Sequence, residues 1–203
     1  MEQSTLNQHE SPNTTFLNEA WHFAKHRANG IDEGFEIDKN TEKVMRALTL
    51  YFAEDERFES EGHGKLTKGI YLLGPVGVGK TLLMRVFSIG PDGTARYRMK
   101  ATTKVVNDFI DHGFVDNYDP VCFDDLGVES IPAFYMGNKK NLMAEIISTR
   151  YESKGGIGFR RTHFTSNLDF GKAEALYGSR VRSRLKEMVN VLVLDGNDRR
   201  KCK

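Results

Sequence analysis

The chain has 203 residues, 39% of them hydrophobic and 28% charged, the make-up of a soluble globular protein of about one domain. Lys and Arg number 29 and Asp and Glu 28, so no overall field draws it onto nucleic acid or membrane, and any such contact comes from a local patch. The start, MEQSTLNQHESPNTT, has no secretory pattern, no apolar run reaches the roughly 18 residues of a membrane helix, and Cys122 and Cys202 make no disulfide framework; a reducing, cytoplasmic setting without membrane attachment is expected.

Residues 1–13 are polar, with a Ser11-Pro12-Asn13 breaker, and are predicted to be disordered. In TTFLNEAWHFAKHRANG, Phe16, Leu17, Ala20, Trp21 and Ala24 recur at helical spacing, and Gly30 suits the stop. NTEKVMRALTLYFAEDERF predicts a second helix, with Val44, Leu48, Tyr51 and Phe52 on one face. At least one of these helices is expected to dock on the rest of the chain, because so many large apolar side chains would otherwise be exposed. ESEGHGKLTKG reads as a charged link, dividing residues 1–62 from a unit at 63–203.

From Gly69 the pattern alternates. GIYLLG, ARYRMKAT, PVCFDDLG, RRTHFTSN and VNVLVLDG read as strands. GKTLLMRVFS, TKVVNDFIDHG, KKNLMAEIISTRYESKGG and FGKAEALYGSRVRSRLKEM read as helices between them. Five strands alternating with helices predict an α/β fold: a mostly parallel sheet with helices on both faces and ligands at the carboxyl ends of the strands.

Between the first strand and its helix lies Gly74-Pro75-Val76-Gly77-Val78-Gly79-Lys80-Thr81, which fits G-x-x-x-x-G-K-[ST]. A triphosphate can be wrapped by backbone N–H groups only where no Cβ obstructs the loop, hence the glycines. The helix that follows, through Leu82, adds free N–H donors and a positive dipole end. Lys80 would reach the β- and γ-phosphates and the Thr81 hydroxyl would ligate Mg²⁺. Composition alone produces such a string roughly once in a hundred chains of this length, but this copy follows a strand and opens a helix, which is the confirming context.

PVCFDDLG is an apolar run ending in Asp124-Asp125. Acids at a strand end beside a phosphate loop are where Mg²⁺ must be held; Asp124 would bind it through water, and Asp125 is placed to polarise an attacking water. Thr165, Ser166 and Asn167 end the fourth strand. The Asn167 amide could hold the water or sense the γ-phosphate, although Ser-Asn-Leu-Asp is good turn chemistry and the residues alone favour a turn. YGSRVRSRLKEM carries Arg180, Arg182, Arg184 and Lys186; at helical spacing Arg180 and Arg184 align. An arginine supplied across a subunit boundary stabilises phosphoryl charge, while a solvated basic face is the plainer alternative. Arg199, Arg200 and Lys201 form a second basic cluster in a stretch where exposure is the rule.

Taken in order, the phosphate loop, VCFDDLG, STRYESKG, THFTSNL, YGSRVRSRL and VLVLDGNDRR resemble the bacterial helicase-loader and transposition-helper ATPases of the DnaC/IstB type, a branch of the AAA+ group related to DnaA. The resemblance covers about residues 65–200. It implies a P-loop NTPase sheet of order 5-1-4-3-2, with Gly74 to Thr81 on the phosphates, Asp124 on Mg²⁺ and Asp125 in the place of the catalytic acid. It also implies Asn167 as the first sensor, Arg184 as the arginine finger with Arg180 next, and Arg200 as the late arginine at the nucleotide. About ten residues follow the last strand, so no full helical lid is expected. Residues 1–62 stand where such proteins choose their partner. TTKVVNDFIDHGFVDNYD stands where they line a DNA-facing pore, which draws attention to Lys100 and Lys104.

The reading is therefore an ATP-binding, Mg²⁺-dependent ATPase like the replicative helicase loaders. It would self-assemble with ATP on single-stranded DNA beside a helicase, its site completed by a neighbour's arginine. The alternatives are a transposition helper on duplex DNA with a transposase partner, a P-loop small-molecule kinase, and a nucleotide-gated adaptor with little turnover. The short side chain of Asp125, where AAA+ proteins commonly have Glu, leaves the last open.

Overall fold

The structure, a computed structural model, describes residues 12–33, 35–113, 120–135, 137–153 and 162–202. Residues 1–11, most of the expected disordered start, lie outside them. In chain order the elements are α1 (Pro12–Ile31), α2 (Lys39–Phe52), α3 (Arg57–Ser60), β1 (Gly69–Leu73), α4 (Lys80–Phe87), β2 (Arg98–Ala101) and α5 (Thr102–His112). There follow β3 (Val121–Leu126), β4 (Ala133–Tyr135), β5 (Asn138–Lys140), α6 (Leu142–Glu152), β6 (Thr162–Ser166), α7 (Phe170–Tyr177), α8 (Ser179–Met188) and β7 (Val189–Val193), with a 3₁₀ turn at Arg199–Cys202.

The main sheet has the order β2-β3-β6-β1-β7, every neighbouring pair parallel. Counted along the sheet's own strands this is the 5-1-4-3-2 order. Strands β1 and β3 are apolar on both faces, as a sheet covered on both sides requires: Ile70, Leu72 and Cys122 face one core, and Tyr71 and Phe123 the other with Phe164 of β6, whose remaining buried residues, Thr162, His163, Thr165 and Ser166, are polar. The edge strands are less buried, and Val191 and Val193 of β7 are exposed.

Both N-terminal helices are built into the first core. Leu17 and Ala24 of α1 and Val44, Met45 and Leu48 of α2 are buried with Leu83, Val86 and Phe87 of α4. The side chain of Phe16 lies outside the described residues, and Trp21 is partly buried against the same cluster. On the other face α5, α6 and α8 contribute Val106, Ile147 and Leu185. Among the described residues no helix is long and apolar enough to cross a membrane.

Four element boundaries differ from the sequence expectation. The second helix stops at Phe52, because Glu54 takes φ +54° and the buried Asp55 carboxylate draws in the backbone N–H and guanidinium of Arg57. The strand expected over ARYRMKAT begins only at Arg98: Ala95 bridges back to Ile89, and Tyr97 is drawn inward to donate its hydroxyl to the Met84 carbonyl at 2.5 Å. The helix expected over FGKAEALYGSRVRSRLKEM is two, broken at Gly178 (φ +88°, ψ +162°). Lys139 and Lys140 belong to an unforeseen hairpin, β4–β5, with Gly137 at φ +78° in its connection, rather than to the start of α6.

Candidate active site

The carboxyl ends of β1, β3 and β6 lie side by side, since β6 pairs with both of the others. This brings the glycine loop, Asp124-Asp125 and Asn167 to one end of the sheet. A cavity of about 840 Å³ opens there, lined by Gly77, Lys80 and Thr81, by Asp125 and Asn167, and by Arg199 and Arg200.

The loop's glycines answer to geometry. Gly77 at φ +84° and Gly79 at φ +102° occupy the left-handed region, and a Cβ at 77 would lie 1.8 Å from a carboxylate oxygen of Asp198. Lys80 is 6% exposed, and its ammonium donates to the carbonyls of Gly74 (2.9 Å) and Pro75 (2.7 Å). Burial pulls its pKa down; Asp125 and Asp124 oppose that pull, and Arg200 adds to it.

The Thr81 hydroxyl donates to Asp124 Oδ1 at 2.9 Å, and the same oxygen accepts from the Thr165 hydroxyl at 2.6 Å. Hydroxyl and carboxylate are thus paired at the loop, a donor set that fits Mg²⁺. Among the described residues no cluster of three or more His, Cys, Asp or Glu could hold a metal alone. A hard cation that takes one or two protein oxygens and completes its shell with phosphate and water needs no such cluster.

Asp125 departs from the strand. It adopts φ +56°, and the pairing of β3 with β6 slips between Phe123 and Leu126, so this residue bulges out of the ladder. Its N–H donates to Thr165 Oγ1 at 2.9 Å and its carbonyl accepts from the Thr102 hydroxyl at 2.9 Å. The bulge buries Asp124 and sets Asp125 exposed on the cavity wall. Although the residue is exposed overall, partial desolvation of its carboxyl at the cavity wall first, then the neighbouring Asp124, raise the Asp125 pKa above the ordinary aspartate value, while Lys80 and Arg200 oppose the shift. Asn167 is exposed at the same wall. The turn that follows is held by Ser166, whose hydroxyl accepts from Leu168 N–H at 3.0 Å. Turn chemistry and cavity lining therefore fall to different residues.

Three features escaped sequence reasoning. Ile31 at the end of α1 and the α1–α2 linker, through Asp32, Phe35, Glu36 and Asp38, supply a wall of the cavity. Phe35 lies against the loop, 2.9 Å from where a Cβ on Gly79 would sit. Arg199 ties this wall down. Its guanidinium donates to Val78 O (3.0 Å), to Asp38 Oδ2 (2.8 Å), to Thr41 Oγ1 (2.6 Å) and to Glu36 O, and lies 4.7 Å from the Phe35 ring centre. The sequence signals were the basic cluster Arg199, Arg200 and Lys201, in a stretch where exposure is the rule, and the run VLVLDGNDRR, which pointed to Arg200 instead. The third feature is the β4–β5 hairpin. It presents Phe134, 57% exposed, with Lys139 Nζ 5.6 Å from its ring.

The two finger candidates part company. Helix α8 buries Val181, Arg184, Leu185 and Met188, the stripe that packs against the core. Arg184 is 8% exposed, donates to Glu152 Oε1 at 3.0 Å and lies over the Tyr151 ring. Arg180, in the first turn, is exposed. The expectation that they share a presenting face is corrected: position 184 belongs to the packed stripe and position 180 lies beside it. Neither lines the cavity of its own chain. Lys100 is half-buried on edge strand β2, and Lys104 is exposed and paired with Asp108 one helical turn on. Residues 114–119 of the pore-like stretch and 154–161 after Arg150-Tyr151 lie outside the described residues.

No protein-family model and no curated protein matches the chain. Solved structures do. A candidate primosome component from Streptococcus pyogenes serotype M3 superposes with a TM-score of 0.56 at 16% identity, covering 83% of this chain and 87% of that one. The DnaC helicase loader superposes with a TM-score of 0.56 at 18% identity, covering 85% of this chain and 98% of that one. At these identities the likeness shows the fold: a P-loop α/β sheet of the 5-1-4-3-2 order, as in the DnaC helicase loader.

Proposed function

We propose that this chain is a Mg²⁺-dependent ATPase of the helicase-loader type. The carrying observation is the convergence of Lys80, the Thr81–Asp124 pair, Asp125, Asn167 and Arg200 around one cavity at the carboxyl ends of the strands. ATP would lie with its phosphates along Gly74 to Leu82 and its base toward Phe35 and the α1–α2 linker. Lys80, already an ammonium donor to two carbonyls, would exchange them for phosphate oxygens. Mg²⁺ would be held by Thr81 and Asp124, and when bound it supplies charge neutralisation on the phosphates. Asp125 would orient and polarise the attacking water, its raised pKa making it a stronger base than an ordinary aspartate. Asn167 would hold that water or read the γ-phosphate, and Arg200 would face the phosphates.

Hydrolysis would be completed by an arginine from a neighbouring copy. Exposure favours Arg180; Arg184 would first have to leave Glu152 and Tyr151. Self-assembly with ATP follows from this, with residues 63–203 acting as the motor unit, the α1–α2 linker completing its cavity, and the outer side of residues 1–62 facing a partner helicase in a cytoplasmic setting. Single-stranded DNA is the favoured nucleic acid. The hairpin offers an exposed aromatic face flanked by Lys139, which suits unpaired bases that stack and a backbone that carries charge.

The test is ATP hydrolysis per protomer against protein concentration, with and without single-stranded DNA. A rate that climbs with both supports the proposal. A flat, DNA-blind rate places a complete site in one chain and turns the reading to a small-molecule kinase; tight ATP binding with assembly but almost no turnover turns it to a gated adaptor. Stimulation by duplex DNA alone turns it to a transposition helper.

A further inference from the structure

Glu129 is a buried acid that the proposed chemistry does not use. It is 6% exposed and lies four residues beyond Asp125, in the turn that leaves β3. Its two oxygens hold two different parts of the chain. Oε2 accepts from the Gly127 backbone N–H at 2.8 Å, and Oε1 accepts from the Tyr177 hydroxyl. Gly127 stands at φ +103° and Asp125 at φ +56°, with Val128 N–H donating back to the Asp125 carbonyl at 3.3 Å. The Glu129 carboxylate is therefore a clamp on the unusual backbone that sets Asp125 on the cavity wall.

The other end of the clamp is the last residue of α7. Tyr177 is 7% exposed, and burial together with the adjacent carboxylate keeps its hydroxyl protonated, a donor. Gly178 follows, breaks the helix and opens α8, which carries Arg180 in its first turn. Gly178 is the single residue between Tyr177 and the first turn of α8. A buried carboxylate that loses one of two hydrogen bonds pays a desolvation cost, so the two ends are held to a common arrangement.

We propose that Glu129 and Tyr177 are positioning residues that couple the placement of a subunit's own Asp125 to the placement of the Arg180 it offers to the next subunit. The inference rests on the reading of Arg180 as acting across a boundary. It adds a route from one site to the next: a shift of the Asp125 turn on ATP binding or hydrolysis moves Gly127, then Glu129, then Tyr177, then the turn holding Arg180.

Tyr177→Phe removes one oxygen and keeps the packed ring. Glu129→Gln keeps the shape but cannot accept both bonds with equal strength, and it serves alone if Tyr177→Phe does not fold. Each variant is expected to bind a fluorescent ATP analogue as the wild type does and to keep KM within about twofold, while kcat falls at least tenfold. Mixed assemblies separate the roles. Asp125→Asn subunits cannot turn over but keep the phosphate loop and present a native Arg180, so adding them to Tyr177→Phe subunits should restore turnover at the Tyr177→Phe sites. Wild-type kcat in both variants, or no restoration in the mixture, overturns the coupling. Arg180→Ala subunits mixed with Asp125→Asn subunits provide the control. Restoration there with wild-type kcat in Tyr177→Phe sinks the coupling alone; failure there sinks the arginine reading beneath it.

Discussion

Replacing Arg199 by alanine removes the fastening between the α1–α2 linker and the phosphate loop. The guanidinium holds two carbonyls, Val78 O and Glu36 O, and such bonds contribute about 1 kcal/mol each net of solvation. Its ion pair with Asp38 is half-exposed on the acid's side and contributes at most about 1 kcal/mol. Its place over Phe35 adds about 0.5–1 kcal/mol. The expected loss is about 3 kcal/mol, with Asp38 still capping α2 through Thr41 N–H. For a chain of this size each kcal/mol moves Tm by about 2–4 °C, so a fall of about 6–12 °C is expected by calorimetry. Arg199→Lys should recover little, since an ammonium cannot reach four acceptors and a ring together. KM for ATP should rise as the Phe35 wall loosens. An unchanged Tm with an unchanged KM would refute the clamp and the linker's role as a wall of the site.

Lys80→Ala is expected to abolish nucleotide binding in a fluorescent-analogue titration; tight binding retained would sink the phosphate-loop assignment. Arg180→Ala should keep ATP binding and lose turnover by ~10³, whereas Arg184→Ala should chiefly lower Tm by releasing α8 from α6; the reverse pattern would make Arg184 the finger. Asp125→Asn should stop turnover yet raise Tm at neutral pH. The raised native pKa means the folded state binds a proton more tightly than the unfolded one, so ionisation costs stability as pH climbs from the unfolded aspartate value through the native one. Asn also tolerates the left-handed backbone at 125. The gain should vanish below about pH 3, where both states carry the protonated acid, and a variant less stable than wild type at pH 7 would contradict the assigned shift. Phe134→Ala should weaken single-stranded DNA binding by about tenfold, the worth of one stacked base, with ATP binding unchanged; an equal loss on duplex DNA would count against the single-strand reading.

The glycine loop and the paired acids were legible because each is a local string. A glycine loop must be contiguous to wrap a phosphate, and the acids must end a strand to reach it, so Gly74 to Thr81 and Asp124-Asp125 stand out as strings. The sheet order came with the family resemblance, and the structure has it. What escaped were contacts made by distant segments. Nothing in Phe35, Asp38 and Arg199 as letters says that residues 161 and more positions apart meet over the loop, and nothing in Glu129 and Tyr177 says that they bond. Periodicity placed Arg180 and Arg184 on one face and could not tell which of them the stripe of Val181, Leu185 and Met188 would take inward. The string therefore determined the glycine loop and the paired acids, each of which is contiguous in the chain. Packing decided which of the two arginines is exposed and which segments wall the cavity, because those depend on how helices lean on the sheet.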